Sequence, residues 1–394
     1  MLKERMFVET HILQNFAPSN LNRDDTGAPK DCEFGGYRRA RISSQCLKRA
    51  ARTYVRENSL LPEDALSCRT KLLRDELVSQ LRDRDKDPEV ARRVVESMLA
   101  AAGLPVDKEG KTQYLLFLGR CEIAKLADLC CEHWDTLAEI AADANGAKGN
   151  KDTKKAARAA APIEIKRSLE ILLDGGKAAD LALFGRMLAD RPGNNVDAAC
   201  QVAHALSTHR VSMDMDFYTA VDDLLPEDTT GAGMLGTLEF NSACFYRYAN
   251  VDLRQLSDNL DDHDLALRTV EAFLRAFIHA VPTGKQNSTA AQNPPSFVMT
   301  VVRNKGLWSL ANAFLKPVRA DENGDLVANS IKALDTHWSQ LSAMYGEDGI
   351  VGKWWAALDG ESIVNLKSAR ADGVEDLIGR TISAIAGQVG SRSG

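Results

Sequence analysis

A cluster of positively charged side chains near the N-terminus is the part of this 394-residue sequence best suited to binding an anion. From Lys30 to Arg56, eight Lys/Arg residues stand against only Asp31 and Glu33, which gives a local charge of +6. The whole chain carries −6, so the remaining residues together carry −12. General solubility does not explain a basic segment inside an acidic protein. Such a segment usually binds a polyanion, most often nucleic acid.

The residues around these charges predict a hairpin followed by a helix. Gly35 and Gly36 mark a turn, because paired glycines adopt backbone conformations that other residues resist. Tyr37–Ile42 then alternates apolar and basic residues, as a strand with one solvated face would. Ser43 and Ser44 are favourable helix N-caps, and the residues after them have helical spacing.

The predicted helix separates its apolar and basic side chains onto two faces. One face carries Leu47, Ala51, Tyr54 and Val55, and the other carries Gln45, Lys48, Arg49, Arg52 and Arg56. The N-terminus of the helix adds free N–H groups that favour a phosphate. The charges alone fit a solvated amphipathic helix equally well, so they leave an anion site and an ordinary basic surface both open.

Composition places the chain among globular proteins that do not span a membrane. Hydrophobic residues make up 44% and charged residues 26%, and no apolar run is long enough for a signal peptide or a membrane span. The eight cysteines contain no C-x-x-C pair, which favours reduced thiols and a cytoplasmic location. A zinc site at Cys130–His133 is disfavoured, because adjacent cysteines rarely chelate one ion. We expect no metal and no cofactor.

The pattern along the chain predicts an α+β fold. Strands are expected at Met6–Phe16, Leu238–Val251 and Phe297–Arg303, with an amphipathic helix at Asp264–Val281. These elements, the Tyr37 hairpin and the basic helix can form one antiparallel sheet with helices on one face. This is the ferredoxin-like arrangement, whose open sheet face many RNA-binding domains use. Helix-rich segments, at about 60–144 and at 163–187, interrupt it.

Six blocks of sequence, in order along the chain, resemble one known family. They are Leu21–Ala50 (with LNRDD, FGG and RRARISSQ), Ile163–Met187 (ending in GRM), Val202–Leu224, Leu235–Leu253, Val281–Pro294 and Ser309–Phe314. The blocks are similar to the backbone subunit of the type I-E CRISPR Cascade complex, the CasC family. The similarity fades after about residue 315.

The resemblance implies a hand-like architecture that periodicity does not supply. It consists of an RRM-like palm, a large helical fingers insertion and a thumb hairpin. The implied ranges are 1–58 for the first part of the palm, 59–199 for the fingers, 200–210 for a palm helix, 211–244 for the thumb, and 245–394 for the second part of the palm with a C-terminal tail.

The resemblance also implies which residues contact a guide RNA (crRNA). The basic and polar contacts matched to the family's motifs are Arg23, Lys30, Arg38, Ser43, Gln45, Lys48, Arg49 and Arg52, with Lys285 and Gln286 added from a Gly-Lys-Gln loop. Hydroxyl and amide groups suit phosphate and 2′-OH contacts, because they donate or accept without a net charge. For Arg23, a salt bridge to Asp24, Asp25 or Asp31 is the structural alternative.

The resemblance implies a second set of residues, which shape the guide RNA. Phe217, Tyr218 and Thr219 match a Trp-Phe-Thr run in the family's thumb, and Met187 matches the methionine of its G-R-M. These groups are expected to displace a base periodically, since apolar and aromatic groups compete for stacking whatever the base is. An aromatic pair in a hairpin core is the alternative. Lys154, Lys155 and Arg158 match a basic cluster that faces target DNA, although a solvated loop fits them nearly as well.

Three classes of function remain in view. The first, favoured by the resemblance, is a non-catalytic scaffold that polymerises head to tail along crRNA, together with other Cascade subunits, and presents it to target DNA. The second is a metal-dependent, guide-directed ribonuclease like the backbone subunits of type III complexes, with Asp24, Asp25 and Asp31 as its carboxylates. The third is a plain protein-interaction module, which would purify free of RNA.

Overall fold

The chain forms two units in the computed structural model, which describes residues 5–146, 177–187, 195–220, 234–320 and 325–390. The first, here called the sheet unit, comprises Met1–Asn58, Cys200–Arg254 and Leu267–Gly394. The second, the helical unit, comprises Ser59–Ala199 and Gln255–Ala266. The long segment of the helical unit covers the range expected for the fingers, and residues 255–266 join it from further along the chain.

The N-terminal elements begin with a long strand, a hairpin and a helix, and continue into a helix-rich region. They are β1 Phe7–Ser19, β2 Asp31–Phe34, β3 Tyr37–Ile42, α1 Ser44–Glu57, β4 Ser67–Thr70, α2 Leu73–Arg82, α3 Pro88–Ala101, β5 Leu116–Gly119, α4 Arg120–Glu132 and α5 Trp134–Gly146. A short 3-10 turn, Glu63–Ala65, lies between α1 and β4.

The later elements return the chain to the sheet. They are α6 Ala179–Phe184, β6 Cys200–Val202, β7 Ala205–Ser207, β8 Asp214–Ala220, β9 Met234–Asp252, α7 Leu253–Leu260, α8 His263–His279, α9 Gln286–Thr289, β10 Phe297–Arg303, α10 Leu326–Tyr345, β11 Ile350–Ala357 and α11 Val374–Gly390. Two 3-10 turns, Leu310–Phe314 and Lys367–Ala369, flank α10 and β11.

The sheet unit is built on one antiparallel sheet of nine strands within the described residues. Its order is β11-β10-β1-β9-β7-β3-β2, with β6 and β8 each paired to β9. Strand β1 lies between β9 and β10, with Thr10 opposite Ala249 on one side and Thr300 on the other. Its backbone is paired along both edges, and its side chains are buried almost throughout. The predicted antiparallel sheet and its three long strands are confirmed.

Helices cover both faces of this sheet, so the prediction of helices on one face only is wrong. On one face, Ile331, Leu334 and Trp338 of α10 pack with Leu13 and Met299 of the sheet. On the other, the Arg247 guanidinium bonds the Phe277 carbonyl of α8, and Thr300 bonds Thr381 of α11 at 2.7 Å. Neighbouring residues of a strand point to opposite faces, which separates the two sets. The central strands β1, β9 and β10, as far as the described residues show, are therefore covered on both faces and do not offer the open face expected for RNA.

The prediction of a palm helix at 200–210 is also wrong. The backbone there forms β6 and β7, which pair with β9 through Gln201 opposite Asn250 and Leu206 opposite Tyr246. Alanine-rich residues favour a helix locally, but tertiary pairing overrides such weak propensities. Buried Ala205 packs with Phe16 and Phe245 in the core beneath α1.

A buried polar network crosses the centre of the sheet. Glu9 accepts hydrogen bonds from the Tyr248 hydroxyl and the Trp308 N–H, each at 2.7 Å, and it pairs with Arg303. Beside it, His11 Nδ1 lies 2.9 Å from the Tyr246 hydroxyl. Burial, with Arg303 nearby, lowers the pKa of His11 to about 3, so the ring is neutral at physiological pH. Buried charges are tolerated when they are paired in this way.

The helical unit has a core of its own. Leu73, Leu77 and Leu81 repeat every four residues along α2 and pack with residues of α3, α4 and α5, among them Met98 and Cys130. Burial raises the pKa of the Cys130 thiol to about 12, and its sulfur lies 3.2 Å from that of Met98. Spacing of three and four residues predicts such helices, and the helix-rich character expected for about 60–144 is confirmed.

Candidate nucleic-acid interface

The basic helix begins at a serine that caps it. Ser43 Oγ accepts a hydrogen bond from the Cys46 N–H at 3.3 Å, which satisfies one of the free donors of the first turn. The Ser43 N–H in turn donates to Asn22 Oδ1 at 2.8 Å. The predicted N-cap is confirmed, and the same bonds tie the helix to the preceding loop. Ser43 is therefore a buried cap, and its hydroxyl is already engaged.

The loop that precedes the hairpin is closed by Asp24. Its Oδ1 accepts from the Thr26 hydroxyl at 2.7 Å and from the N–H groups of Thr26 and Ala28 at 2.9 and 3.0 Å. These bonds, the one from the Thr26 hydroxyl first, lower the pKa of Asp24. A backbone bridge between Arg23 and Pro29 completes the loop. Asp24 thus shapes the loop as an ionised carboxylate.

The side chain of Arg23 extends from this loop into solvent. In the described part of the chain it forms no ion pair, so the salt bridge to Asp24, Asp25 or Asp31 is not found there. Asp31 pairs instead with Arg38, across the β2–β3 hairpin. Arg38, predicted to contact RNA, is therefore exposed but already has an anionic partner.

Helix α1 presents the faces that the sequence predicts. Leu47, Ala51 and Val55 are buried, and Tyr54 is half-buried with its ring stacked on His279 at 6.2 Å between centroids. The polar face follows the predicted list: Gln45, Arg49 and Arg56 are exposed, and Lys48 and Arg52 are half-buried. The predicted amphipathic helix is confirmed, with its cations on the face away from the core.

A cavity of about 460 Å³ opens beside this helix. It is walled by residues 21–24, by one side of α1 and by residues 280–284, and both Arg23 and Arg49 line it. Gly284 lets these segments approach, because a Cβ there would collide with the carbonyl of Leu21. The loop arginine, the helix arginine and the Gly-Lys-Gln loop are therefore brought together in space.

The two predicted contacts of the Gly-Lys-Gln loop have different surroundings. Gln286 Nε2 donates to the carbonyls of Pro282 and Ala291 at 3.0 and 3.1 Å, so this amide closes its own loop. Lys285 takes a left-handed conformation with φ of 53°, and its side chain is half-buried. Lys285 is therefore a partly exposed cation at the surface, whereas the Gln286 amide bonds the carbonyls of its own loop.

Strands β8 and β9 form the hairpin that carries the predicted thumb residues. Phe217 lies opposite Thr237 and is 66% exposed, so the alternative of a ring buried in a hairpin core is wrong for it. Thr219 is exposed as well. Tyr218 lies on the other face of the strand and crosses Gly236, where a Cβ would collide with its ring. Met215, 62% exposed and on the face of Phe217, is an apolar residue that the motif comparison missed.

Met187 projects from the helical unit and is 84% exposed. The preceding residue anchors it: Arg186 pairs with Val196 through two backbone bonds of 2.9 Å, and its buried guanidinium donates to the Phe117 carbonyl at 3.2 Å. The expected packing of Met187 near the thumb stays a prediction. Lys154, Lys155 and Arg158 lie outside the described residues, and their predicted contact with target DNA stays a prediction as well.

One arginine of the basic segment has a structural role that its charge conceals. Arg39 is fully buried, and its guanidinium donates to the carbonyls of Phe34, Ser207, Phe314 and Leu315 at 2.7–3.3 Å. It joins the β2–β3 hairpin to the 3-10 turn after β10. Alternation within β3 gave no sign of this, since it places Arg39 on the strand face opposite to that of the apolar Ala40 and Ile42.

Comparisons with known proteins match almost the whole chain. A family model for the CT1975-like protein matches residues 8–383. A chain of a "CRISPR RNA-guided surveillance complex, pre-nicking" is 32% identical with a TM-score of 0.83, and the match covers 96% of this chain and 99% of that one. A chain of a "CRISPR RNA-guided surveillance complex" is 28% identical with a TM-score of 0.73 and the same coverage.

Curated proteins give no match. Among the helices that the structure describes, none is long and apolar enough to cross a membrane. The resemblance to a subunit of a CRISPR surveillance complex is confirmed by the two structural matches, which are as extensive as the family match. On the basis of a family model that covers most of its length, the chain belongs to the CT1975-like protein family.

Proposed function

We propose that this protein is a non-catalytic, crRNA-binding backbone subunit of a type I-E Cascade surveillance complex, of which several copies lie head to tail along one guide. The observation that carries the proposal is the cavity beside α1, where Arg23 and Arg49 meet without an ion pair to any described residue. Its similarity to chains of CRISPR RNA-guided surveillance complexes along 96% of its length supports the assignment.

The proposed binding mode follows from the chemistry of the two surfaces. Exposed and half-buried cations of α1 and of the loop suit the sugar–phosphate backbone, which carries no sequence information. Phe217 and Met215, exposed on one face of the hairpin, suit stacking with any base. Such a protein holds a guide without reading it, so that pairing between guide and target DNA provides the specificity.

The ribonuclease alternative has less support from the loop. Two of its three candidate carboxylates already have partners: Asp24 closes the loop, and Asp31 pairs with Arg38. We propose that purified protein leaves a guide-complementary RNA intact in the presence of Mg²⁺ or Mn²⁺. Site-specific cleavage that Asp31→Ala abolishes would overturn the non-catalytic assignment.

The proposal predicts that natively expressed protein co-purifies with RNA of a defined length. The reason is that exposed cations on α1 and on the loop beside it retain a polyanion at moderate ionic strength. The measurement is the absorbance ratio of the purified protein, followed by gel analysis of the extracted nucleic acid after RNase or DNase treatment. We expect a discrete band that RNase removes and DNase leaves.

Protein that purifies free of RNA, and that leaves added CRISPR transcripts unbound at low ionic strength, would contradict the proposal. It would favour a protein-interaction module instead. A ladder of random RNA lengths would contradict the guide assignment, because a guide that limits the number of copies has one length.

A second prediction concerns the aromatic residues of the β8–β9 hairpin. Replacing Phe217 and Tyr218 by Ala should leave RNA bound while removing the periodic displacement of bases, because stacking contributes about 1–3 kcal/mol per base. The measurement uses RNA with 2-aminopurine at successive positions, since this base fluoresces more strongly when unstacked. We expect bright positions at a regular interval with the unchanged protein and a nearly uniform signal with the variant.

A matched control for this experiment is Leu358→Ala, which removes an apolar side chain that is 81% exposed outside the hairpin. It should keep the periodic signal. If the hairpin variant also keeps it, the aromatic residues do not shape the guide.

A further inference from the structure

The junction between β6 and β7 places a histidine beside the basic hairpin. Strand β3 pairs with β7 through Arg41 opposite Leu206 and Ile42 opposite Ala205, which brings His204 next to Arg41. One terminal nitrogen of the Arg41 guanidinium lies 3.0 Å from His204 Nδ1. His204 itself is exposed. Neither residue was among the RNA contacts that the motif comparison implied.

This contact determines the protonation of the imidazole. A guanidinium has only donors, so Nδ1 must accept and must lack a proton. The ring is then neutral and carries its hydrogen on Nε2. Partial burial, followed by the nearby charges of Arg41 and Lys30, lowers the pKa of His204, in agreement with a neutral ring at physiological pH. The result is an N–H donor on the exposed side chain of His204.

The charges around this donor are positive and lack carboxylate partners. Arg41 is fixed by a second bond, from Nε to the Asp31 carbonyl at 3.1 Å. Among the described residues neither Arg41 nor Lys30 pairs with a carboxylate, and the Asp31 side chain pairs with Arg38 instead. Within the described residues, two cations and a neutral N–H donor therefore lie together without an ion-pair partner.

We propose that His204, Arg41 and Lys30 form a binding site for one phosphate of an RNA backbone, with His204 donating its Nε2–H to a non-bridging oxygen. A phosphodiester fits because it offers several acceptor oxygens and one negative charge, and hydrogen bonds that involve an ion are the stronger ones. The inference rests on the proposed function and adds to it a contact on the sheet edge, apart from α1.

Three substitutions of His204 test the site in the full chain. Glutamine places an amide N–H near the position of Nε2, asparagine places an acceptor near that of Nδ1, and alanine has neither. The probe is fluorescein-labelled oligouridylate, and the measurement is its anisotropy at low ionic strength. We expect His204→Ala and His204→Asn to weaken binding about 10-fold or more, as befits one hydrogen bond to a charged group. His204→Gln should restore most of the affinity.

Labelled oligothymidylate distinguishes phosphate from ribose. A phosphate contact weakens the binding of both oligonucleotides in His204→Ala, whereas a loss confined to RNA would indicate the 2′-OH and overturn the phosphate assignment. Recovery by asparagine as complete as by glutamine would show that His204 only positions Arg41.

If the unchanged protein binds and His204→Ala binds equally well, this site is wrong and the proposed function stands. If the unchanged protein itself binds neither probe, the proposed function fails. Thermal unfolding midpoints of the variants close to that of the unchanged protein are the control for folding, which we expect because the side chain is exposed.

Discussion

Replacing Arg303 by Met is expected to lower the free energy of unfolding of the sheet unit by about 3–5 kcal/mol. Both side chains of the Glu9–Arg303 pair are almost completely buried, and the Arg303 guanidinium also lies 4.4 Å from the Trp308 ring. Without Arg303, Glu9 would remain as an uncompensated charge in the centre of the sheet. Urea unfolding followed by tryptophan fluorescence measures this, since four of the five tryptophans belong to this unit.

Two controls define the cause of that loss. Arg380→Met breaks an exposed pair with Asp376 on α11 and should lower the free energy of unfolding far less than Arg303→Met does. Glu9→Leu combined with Arg303→Met removes both buried charges and should recover much of the loss, as happens when a buried ion pair becomes apolar. A cost for Arg303→Met no larger than for Arg380→Met would show that the buried pair does not hold the sheet together.

Replacing Arg23 and Arg49 together by Ala is expected to weaken the binding of single-stranded RNA about 100-fold or more at low salt, because a hydrogen bond to a charged group contributes about 1.5–3 kcal/mol. Both side chains line the same cavity, so their loss removes adjacent contacts. The slope of log affinity against log salt should fall by about 0.7 for each lost phosphate contact. Fluorescence anisotropy over a series of KCl concentrations measures both quantities.

The matched control removes two arginines from the exposed surface of α3, Arg92 and Arg93. The net charge changes equally, but these residues lie outside the basic segment. We expect less than about a threefold loss of affinity, from the general field of the protein alone. Equal losses in the two double variants would mean that total charge, and not the cavity, determines binding.

Local sequence predicted the elements that form through short-range forces. The N-cap at Ser43, the buried side of α1 and the strand Phe297–Arg303 are all confirmed, because capping and helical or strand periodicity act within a few residues. The amphipathic helix expected at Asp264–Val281 occurs as His263–His279. In these segments, local preference and tertiary packing agree.

The predictions failed where partners distant in sequence decide the structure. Residues 200–202 and 205–207 form strands because β9 pairs with them, and no local pattern contains that information. The sequence pattern predicts helices on one face of the sheet only, whereas α10 also covers the other face. A signal existed there: Ile331, Leu334 and Trp338 are spaced three and four residues apart, as on one side of a helix.

The sequence also does not show which individual charged side chains are available for binding, because partners distant in sequence decide this. Arg39 counted as a candidate cation, yet it is fully buried against four carbonyls. Arg38 was predicted to contact RNA but already pairs with Asp31, and Gln286 bonds its own loop. Conversely, His204 lies in the block Val202–Leu224, yet the resemblance implied no RNA contact for it. Residue type indicates which groups are able to bind a phosphate, and only the fold determines which ones remain available.

The thumb hairpin and the central sheet share one strand. Strand β9 runs without a break for 19 residues, from its pairing with β8 to its pairing with β1, which is about 60 Å of extended chain. Bending β9 at the junction would break hydrogen bonds between strands, so the central sheet holds the hairpin rigidly. If neighbouring copies contact one another through the hairpin, the length of β9 determines the distance between them.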